Sequence, residues 1–141
     1  MSAQSEMSDT KVSETIAIDG ISDFSIYRYF EMLNAEDYSS AAALFTTDGA
    51  LLPPFEEPVI GREAIAHYLA TEAAGMRLCP SQGTVEHLED RNTQYHITGK
   101  VQTSMFGVNV AWFFVLNPQS DIVSVRVKLL AAPQELLNIR R

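Results

Sequence analysis

The spacing of apolar residues changes at about Met76. Ahead of it, Ile26, Phe30 and Leu33 recur at helical intervals behind the cap residue Asp23, and Tyr29 falls on the same inward side. A helix is therefore predicted from Asp23 to about Asn34-Ala35. A second, alanine-rich helix is predicted over 37–45, after which Asp48-Gly49 is expected to turn the chain into a strand that Pro53-Pro54 interrupts. A third helix follows Gly61, over roughly 62–74. From Met76 onward the period is two, which predicts strands near 76–89, 93–105, 108–117 and 121–131. Turns fall at Glu89-Asp90-Arg91-Asn92, around Phe106-Gly107 and at Asn117-Pro-Gln-Ser-Asp121. Pro133 can open a closing helix over 134–140. Residues 1–19 are polar and without periodicity, and read as a flexible acidic tail before a single domain over 20–141.

Helices first and antiparallel strands afterwards predict an α+β fold, with a curved sheet wrapped around helices on one face and a cone-shaped cavity between them. Two strands furnish most of that cavity. Val101, Thr103 and Met105 share one face of the first, and Trp112, Phe114 and Leu116 share a face of the next. Trp112 is the one indole donor on this oily wall.

Composition narrows the choice of partner. The 141 residues are 46% hydrophobic, enough for one core, and the formal net charge of −8 argues against nucleic acid or an anionic membrane as partner of the average surface. No basic stripe is visible along the chain. Neither a signal peptide nor a membrane-length apolar run is seen, so a cytosolic protein is expected. Cys79 is the single cysteine, which excludes an internal disulfide and a cysteine-based metal cage.

Catalytic signals are sparse. His67, His87 and His96 lack metal-ligand spacing, and nucleotide-binding and acyl-enzyme motifs are absent. Glu56-Glu57 reads as a solvated loop, because neighbouring side chains point apart. The stretch from Val101 to Leu116 contains no Asp, Glu, His or Cys, whereas general acid/base catalysis needs a titratable group beside its substrate. What remains is a pair of donors, the Tyr29 hydroxyl and the Trp112 indole N–H, suited to a carbonyl oxygen. The competing reading makes them core aromatics bonded to backbone.

Three segments carry a family resemblance: Tyr29-Phe-Glu-Met-Leu-Asn-Ala-Glu-Asp37, Leu51-Leu-Pro-Pro-Phe-Glu-Glu-Pro-Val-Ile-Gly-Arg-Glu63, and Gly99 to Leu116 followed by Val125-Arg-Val-Lys-Leu-Leu-Ala-Ala-Pro-Gln-Glu-Leu-Leu137. From about residue 20 to 141 the chain resembles stand-alone homologues of the C-terminal domain of the cyanobacterial orange carotenoid protein, within the nuclear transport factor 2-like superfamily. The resemblance implies that Tyr29 and Trp112 donate to the keto oxygen of a non-covalently bound ketocarotenoid, canthaxanthin or echinenone. It places Leu33, Met76, Leu78, Val101, Thr103, Met105, Phe106, Phe114, Val127 and Leu129 along the ring and polyene. Two positions depart from the full-length members, which commonly carry tryptophan where Met105 stands and an acidic residue where Lys128 stands.

The implied function is a non-enzymatic carrier in the cyanobacterial cytosol. It solubilises a ketocarotenoid, quenches singlet oxygen, takes pigment from membranes and delivers it to helical carotenoid proteins, with Glu72 helping to dock the acceptor. Because a carotenoid is too long for one cavity, a homodimer sharing one ligand mouth to mouth is expected. Strand alternation puts Cys79 outside the pocket, either as an inert reduced thiol or as one half of an intermolecular disulfide. The alternative function is a ketosteroid isomerase-like or polyketide cyclase-like enzyme acting on an apolar ketone. Tyr29 is placed like that isomerase's oxyanion tyrosine, but its base position falls at Pro53, and the strand around Trp112 offers no acid partner.

Overall fold

The computed structural model describes residues 15–130. Asp23 caps helix α1 (Phe24–Asn34), its carboxylate accepting from the amides of Ser25 at 2.8 Å and Ile26 at 3.3 Å. The buried stripe of α1 is Ile26, Tyr29, Phe30 and Leu33, the face expected from helical spacing. The second helix is shorter than predicted: α2 covers only Tyr38–Ala42, and the chain is already extended at Phe45. Strands β1 (Phe45–Leu52) and β2 (Val59–Ile60) precede α3 (Arg62–Glu72), and β3 (Arg77–His87), β4 (Thr93–Gln102), β5 (Gly107–Leu116) and β6 (Ile122–Leu130) follow.

Asp48-Gly49 does not turn the chain. It lies inside β1, where the register against β6 shifts between Phe45 and Ala50. A Cβ on Gly49 would stand 3.0 Å from Phe45 Cβ and 3.1 Å from the Ile122 carbonyl oxygen, so the glycine serves close approach rather than reversal. The sheet order is β2-β1-β6-β5-β4-β3. Contrary to the wholly antiparallel expectation, β1 runs parallel to β6, pairing Ala50, Leu51 and Leu52 with Ser124, Val125 and Arg126. The remaining neighbours are antiparallel, and the curved, open sheet with helices on one face is α+β as predicted.

The core lies between that face and α1. Phe30 meets Trp112 edge-on at 4.8 Å, and Ile97, Phe114, Leu116, Ile122 and Val125 are fully enclosed. Two backbone devices shape β3. Its register shifts between Pro80 and Gln82, and Gly99 opposite accommodates the close approach of the Cys79 carbonyl, where any Cβ would collide. Asn34, the last residue of α1, clamps the start of the strand by donating to the Leu78 carbonyl at 2.9 Å and accepting from the Leu78 amide at 2.8 Å.

The stretch over 15–19 departs from the predicted tail. Ile18 is buried, Ile16 packs on the core, and Asp19 bridges to Gln82 on the β3 edge. The Tyr27 hydroxyl holds the segment by accepting from the Ile18 amide at 2.9 Å and donating to the Ile21 carbonyl at 2.9 Å. The rest of the predicted tail and the closing helix over 134–140 lie outside the described residues. Among the described residues, no helix is long and apolar enough to cross a membrane.

Candidate ligand cavity

Between the helices and the inner face of the sheet lies a cavity of about 250 Å³. α1 contributes Tyr29 and Leu33, and Leu51, Pro53 and Pro54 contribute from the end of β1 and its following loop. Tyr68, Leu69, Glu72 and Ala73 come from α3 and its end, with Met76 and Leu78 from the start of β3. The sheet supplies Val101, Thr103, Phe106, Val108, Val110, Trp112, Val127 and Leu129. These come together because Val101 pairs with Val108, and Trp112 with Val127, so alternate residues of three strands share one face.

Tyr29 and Trp112 each retain only 2% exposure, yet neither polar atom bonds to an acceptor among the described residues. Nor is either fully enclosed and unpaired; among the described residues that condition belongs to the Tyr38 hydroxyl. Both donors therefore reach the cavity, and the backbone-bonded reading is set aside. Burial pushes the Tyr29 phenol well above its ordinary value of 10.0, so it is a donor across the neutral range. Tyr68 is pushed up to about 12, chiefly by burial and then by the carboxylates of Glu56 and Glu72.

Of the residues expected at the ligand, Leu33, Met76, Leu78, Val101, Thr103, Phe106, Val127 and Leu129 line the cavity with the two donors. Phe114 and Met105 do not. Phe114 shares the inward register of Trp112 but lies deeper, at 0% exposure, behind Tyr29. Met105 is 83% exposed because β4 ends at Gln102, and alternation stops where the strand stops. Sequence reasoning missed Val108 and Val110, which alternate with Trp112 and were legible on that ground. It also missed Tyr68, Leu69 and Ala73 on the α3 side, where no local signal shows that this helix borders the opening.

Among the described residues Glu72 is the carboxylate on the wall, and it is exposed; Glu56 and Glu57 are also exposed. Pro53, where the enzyme reading needs a base, lines the cavity as an apolar ring. Cys79 is exposed on the opposite sheet face, across from Lys100, as alternation predicted. His67, His87 and His96 are exposed, and His96 stacks on Phe113 of that outer face at 4.4 Å. Among the described residues no group of three or more His, Cys, Asp or Glu is placed to hold a metal ion.

Comparison with known proteins gives this cavity a family. The model of the nuclear transport factor 2 (NTF2) domain matches residues 24–125. The orange carotenoid-binding protein of Synechocystis sp. is 42% identical over 137 residues, covering 94% of this chain and 43% of that protein. Its counterpart in Limnospira maxima is 41% identical over 128 residues, covering 88% of this chain and 40% of that protein. The structure of the Anabaena (Nostoc) sp. PCC 7120 orange carotenoid protein binding canthaxanthin superposes with a TM-score of 0.81 at 43% identity, over 88% of this chain and 41% of that one. The chain thus spans about two-fifths of the length of these relatives. It belongs to the nuclear transport factor 2 domain family, as a homologue of the C-terminal domain of orange carotenoid protein.

Proposed function

We propose that this protein is a non-enzymatic, water-soluble ketocarotenoid carrier, with Tyr29 and Trp112 donating to the keto oxygen of canthaxanthin or echinenone. The observation that carries the reading is the pair of buried donors on an apolar wall, without acceptors among the described residues, in a chain 42% identical to an orange carotenoid-binding protein. Burial of polyene at about 25 cal/mol per Å² supplies most of the affinity. Each hydrogen bond adds about 0.5–1.5 kcal/mol and mainly fixes position and colour. Among the described residues Glu72 is the only carboxylate lining the cavity, and Pro53 stands where a ketone isomerase has its base, which weighs against the enzyme reading.

At about 250 Å³ the cavity falls below the roughly 300–1,000 Å³ of drug-sized sites, so it takes one end of a carotenoid and leaves the other outside. A homodimer that joins two mouths around one ligand covers the remainder. Opening that dimer exposes half the polyene, which suits delivery to helical carotenoid proteins with Glu72 at the contact. Uptake from membranes, singlet-oxygen quenching and photoprotection in the cyanobacterial cytosol complete the proposal. The exposed Cys79 thiols of two chains form a disulfide under oxidising conditions and tie assembly to redox state.

The test is the absorption spectrum of protein made in canthaxanthin-producing cells, beside Tyr29→Phe and Trp112→Phe. A red-shifted visible band that weakens or moves in both variants is the expected result. Colourless protein from pigmented cells overturns the reading.

A further inference from the structure

The hairpin between β4 and β5 closes at the pair Gln102–Gly107, and its tip presents Met105 at 83% and Phe106 at 60% exposure. Thr103 makes this tip compact. Its hydroxyl accepts from the amides of Met105 at 3.2 Å and Phe106 at 3.1 Å and donates to the Phe106 carbonyl at 2.9 Å, while its own amide donates to that carbonyl at 2.8 Å. Three amides of the turn are thus satisfied internally. An exposed apolar tip with paired backbone can leave water without stranding those groups, which is the requirement for entering a bilayer interface.

Charge on the adjoining sheet face completes the surface. Strands β3 to β6 carry Arg77, Lys100, Arg126 and Lys128 against one carboxylate, Glu86. Glu86 pairs with Gln94, eight residues along β4 from Gln102 and so roughly 27 Å from the hairpin end. Lys100 lies two residues from that end, roughly 7 Å, and Lys128, opposite Ala111, stands four residues back, roughly 13 Å, on the same outer face, its ammonium over the Phe113 ring at 5.9 Å. With a Debye length of about 8 Å at physiological salt, a surface approaching this end meets its local cations before the net charge of −8. The opposing charges lie on the helical side of the mouth: Glu72 on the wall, Glu56 beside Tyr68, and Glu36, whose carboxylate accepts from the Gly75 amide at 2.9 Å.

We propose that this end of the sheet docks on an anionic bilayer, Met105 and Phe106 entering the interface while Lys100 and Lys128 meet the headgroups. Apolar side chains backed by cations fit a lipid surface. Two projecting side chains are too little for the roughly 1,000 Å² of a stable protein interface. The inference rests on the carrier reading and deepens it: Phe106 both lines the cavity and faces outward, so an apolar ligand passes from lipid to the wall without crossing water.

The experiment is flotation of the ligand-free full chain with vesicles of equimolar phosphatidylcholine and phosphatidylglycerol, beside vesicles of phosphatidylcholine alone. Binding should favour the anionic vesicles and fall about tenfold or more in Met105→Ser/Phe106→Ser. The Lys100→Glu/Lys128→Glu variant should lose the anionic preference, yet take canthaxanthin from detergent as the unaltered chain does and from anionic vesicles more slowly. All four positions are exposed, Lys128 touching only the Phe113 ring among the described residues, so thermal midpoints should fall by no more than a few degrees. Failure of the unaltered chain to float, or equal flotation of the variants, overturns the proposal. So does a tip variant that changes the assembly state while floating normally, because the tip is then a contact between copies. Flotation as expected with no pigment taken from either source supports the docking surface and overturns the carrier reading instead.

Discussion

Phe114 stands edge-on to Tyr29, ring centroids 5.3 Å apart and planes at 88°, and Phe30 completes the cluster at 5.7 Å from each of them. The ring expected to touch ligand therefore buttresses the residue proposed to hold it. Phe114→Ala should cost about 3–5 kcal/mol of stability, since its side chain is fully enclosed. Phe114→Leu, which keeps most of the volume, should retain the fold and weaken pigment binding by letting Tyr29 move. Chemical denaturation and pigment titration of the two variants separate these effects.

Tyr29→Phe and Trp112→Phe each remove one donor while leaving an apolar wall. Each should weaken carotenoid binding by about 0.5–1.5 kcal/mol and shift the visible band. The double variant should still bind, because burial supplies most of the affinity. Titration of pigment into the purified variants checks both statements.

Alkaline stability follows from the raised phenols. Unfolded, Tyr29 and Tyr68 titrate near 10.0; folded, both hold their protons longer. The folded chain then binds more protons than the unfolded one in that range, so the contribution of these two phenols to stability is fully present below 10.0 and is lost as pH rises past it. Thermal midpoints from neutral pH to beyond 10.0 should show that break, and Tyr29→Phe should reduce its slope.

The Asn34 clamp on Leu78 ties α1 to a strand that lines the cavity. Asn34→Ala removes both bonds and should cost about 1–3 kcal/mol. Asn34→Asp keeps the acceptor for the Leu78 amide and should recover part of the loss. Chemical denaturation orders the three proteins.

Cys79 lies opposite the cavity. With a mild oxidant, non-reducing electrophoresis should show a covalent dimer that Cys79→Ser lacks. The reduced proteins should have identical pigment spectra, because the thiol does not reach the ligand.

Much of this architecture was readable along the chain. Ile26, Tyr29, Phe30 and Leu33 declare an inward helix face, and Val101 and Trp112 declare the inner face of their strands, because period and side-chain direction are local properties. The resemblance added the donor roles proposed for Tyr29 and Trp112. Asp48-Gly49 was misread because a turn and a close approach ask for the same residue, and only the neighbour, here Phe45, tells them apart.

The sequence by itself thus determined the first and third helices, the four strands that follow Met76, their buried faces and the identity of the donors on the wall. Tertiary structure decided which inward residues border open space and which are packed. Phe114 and Trp112 share one register, yet only Trp112 meets the cavity, because the curved sheet closes on the helices at one end and parts from them at the other. It also decided the parallel pairing of β1 with β6, which joins residues more than seventy positions apart. The basic end of the sheet was invisible for the same reason. Arg77, Lys100 and Lys128 are scattered in the chain, and only strand pairing gathers them on one face of an acidic protein.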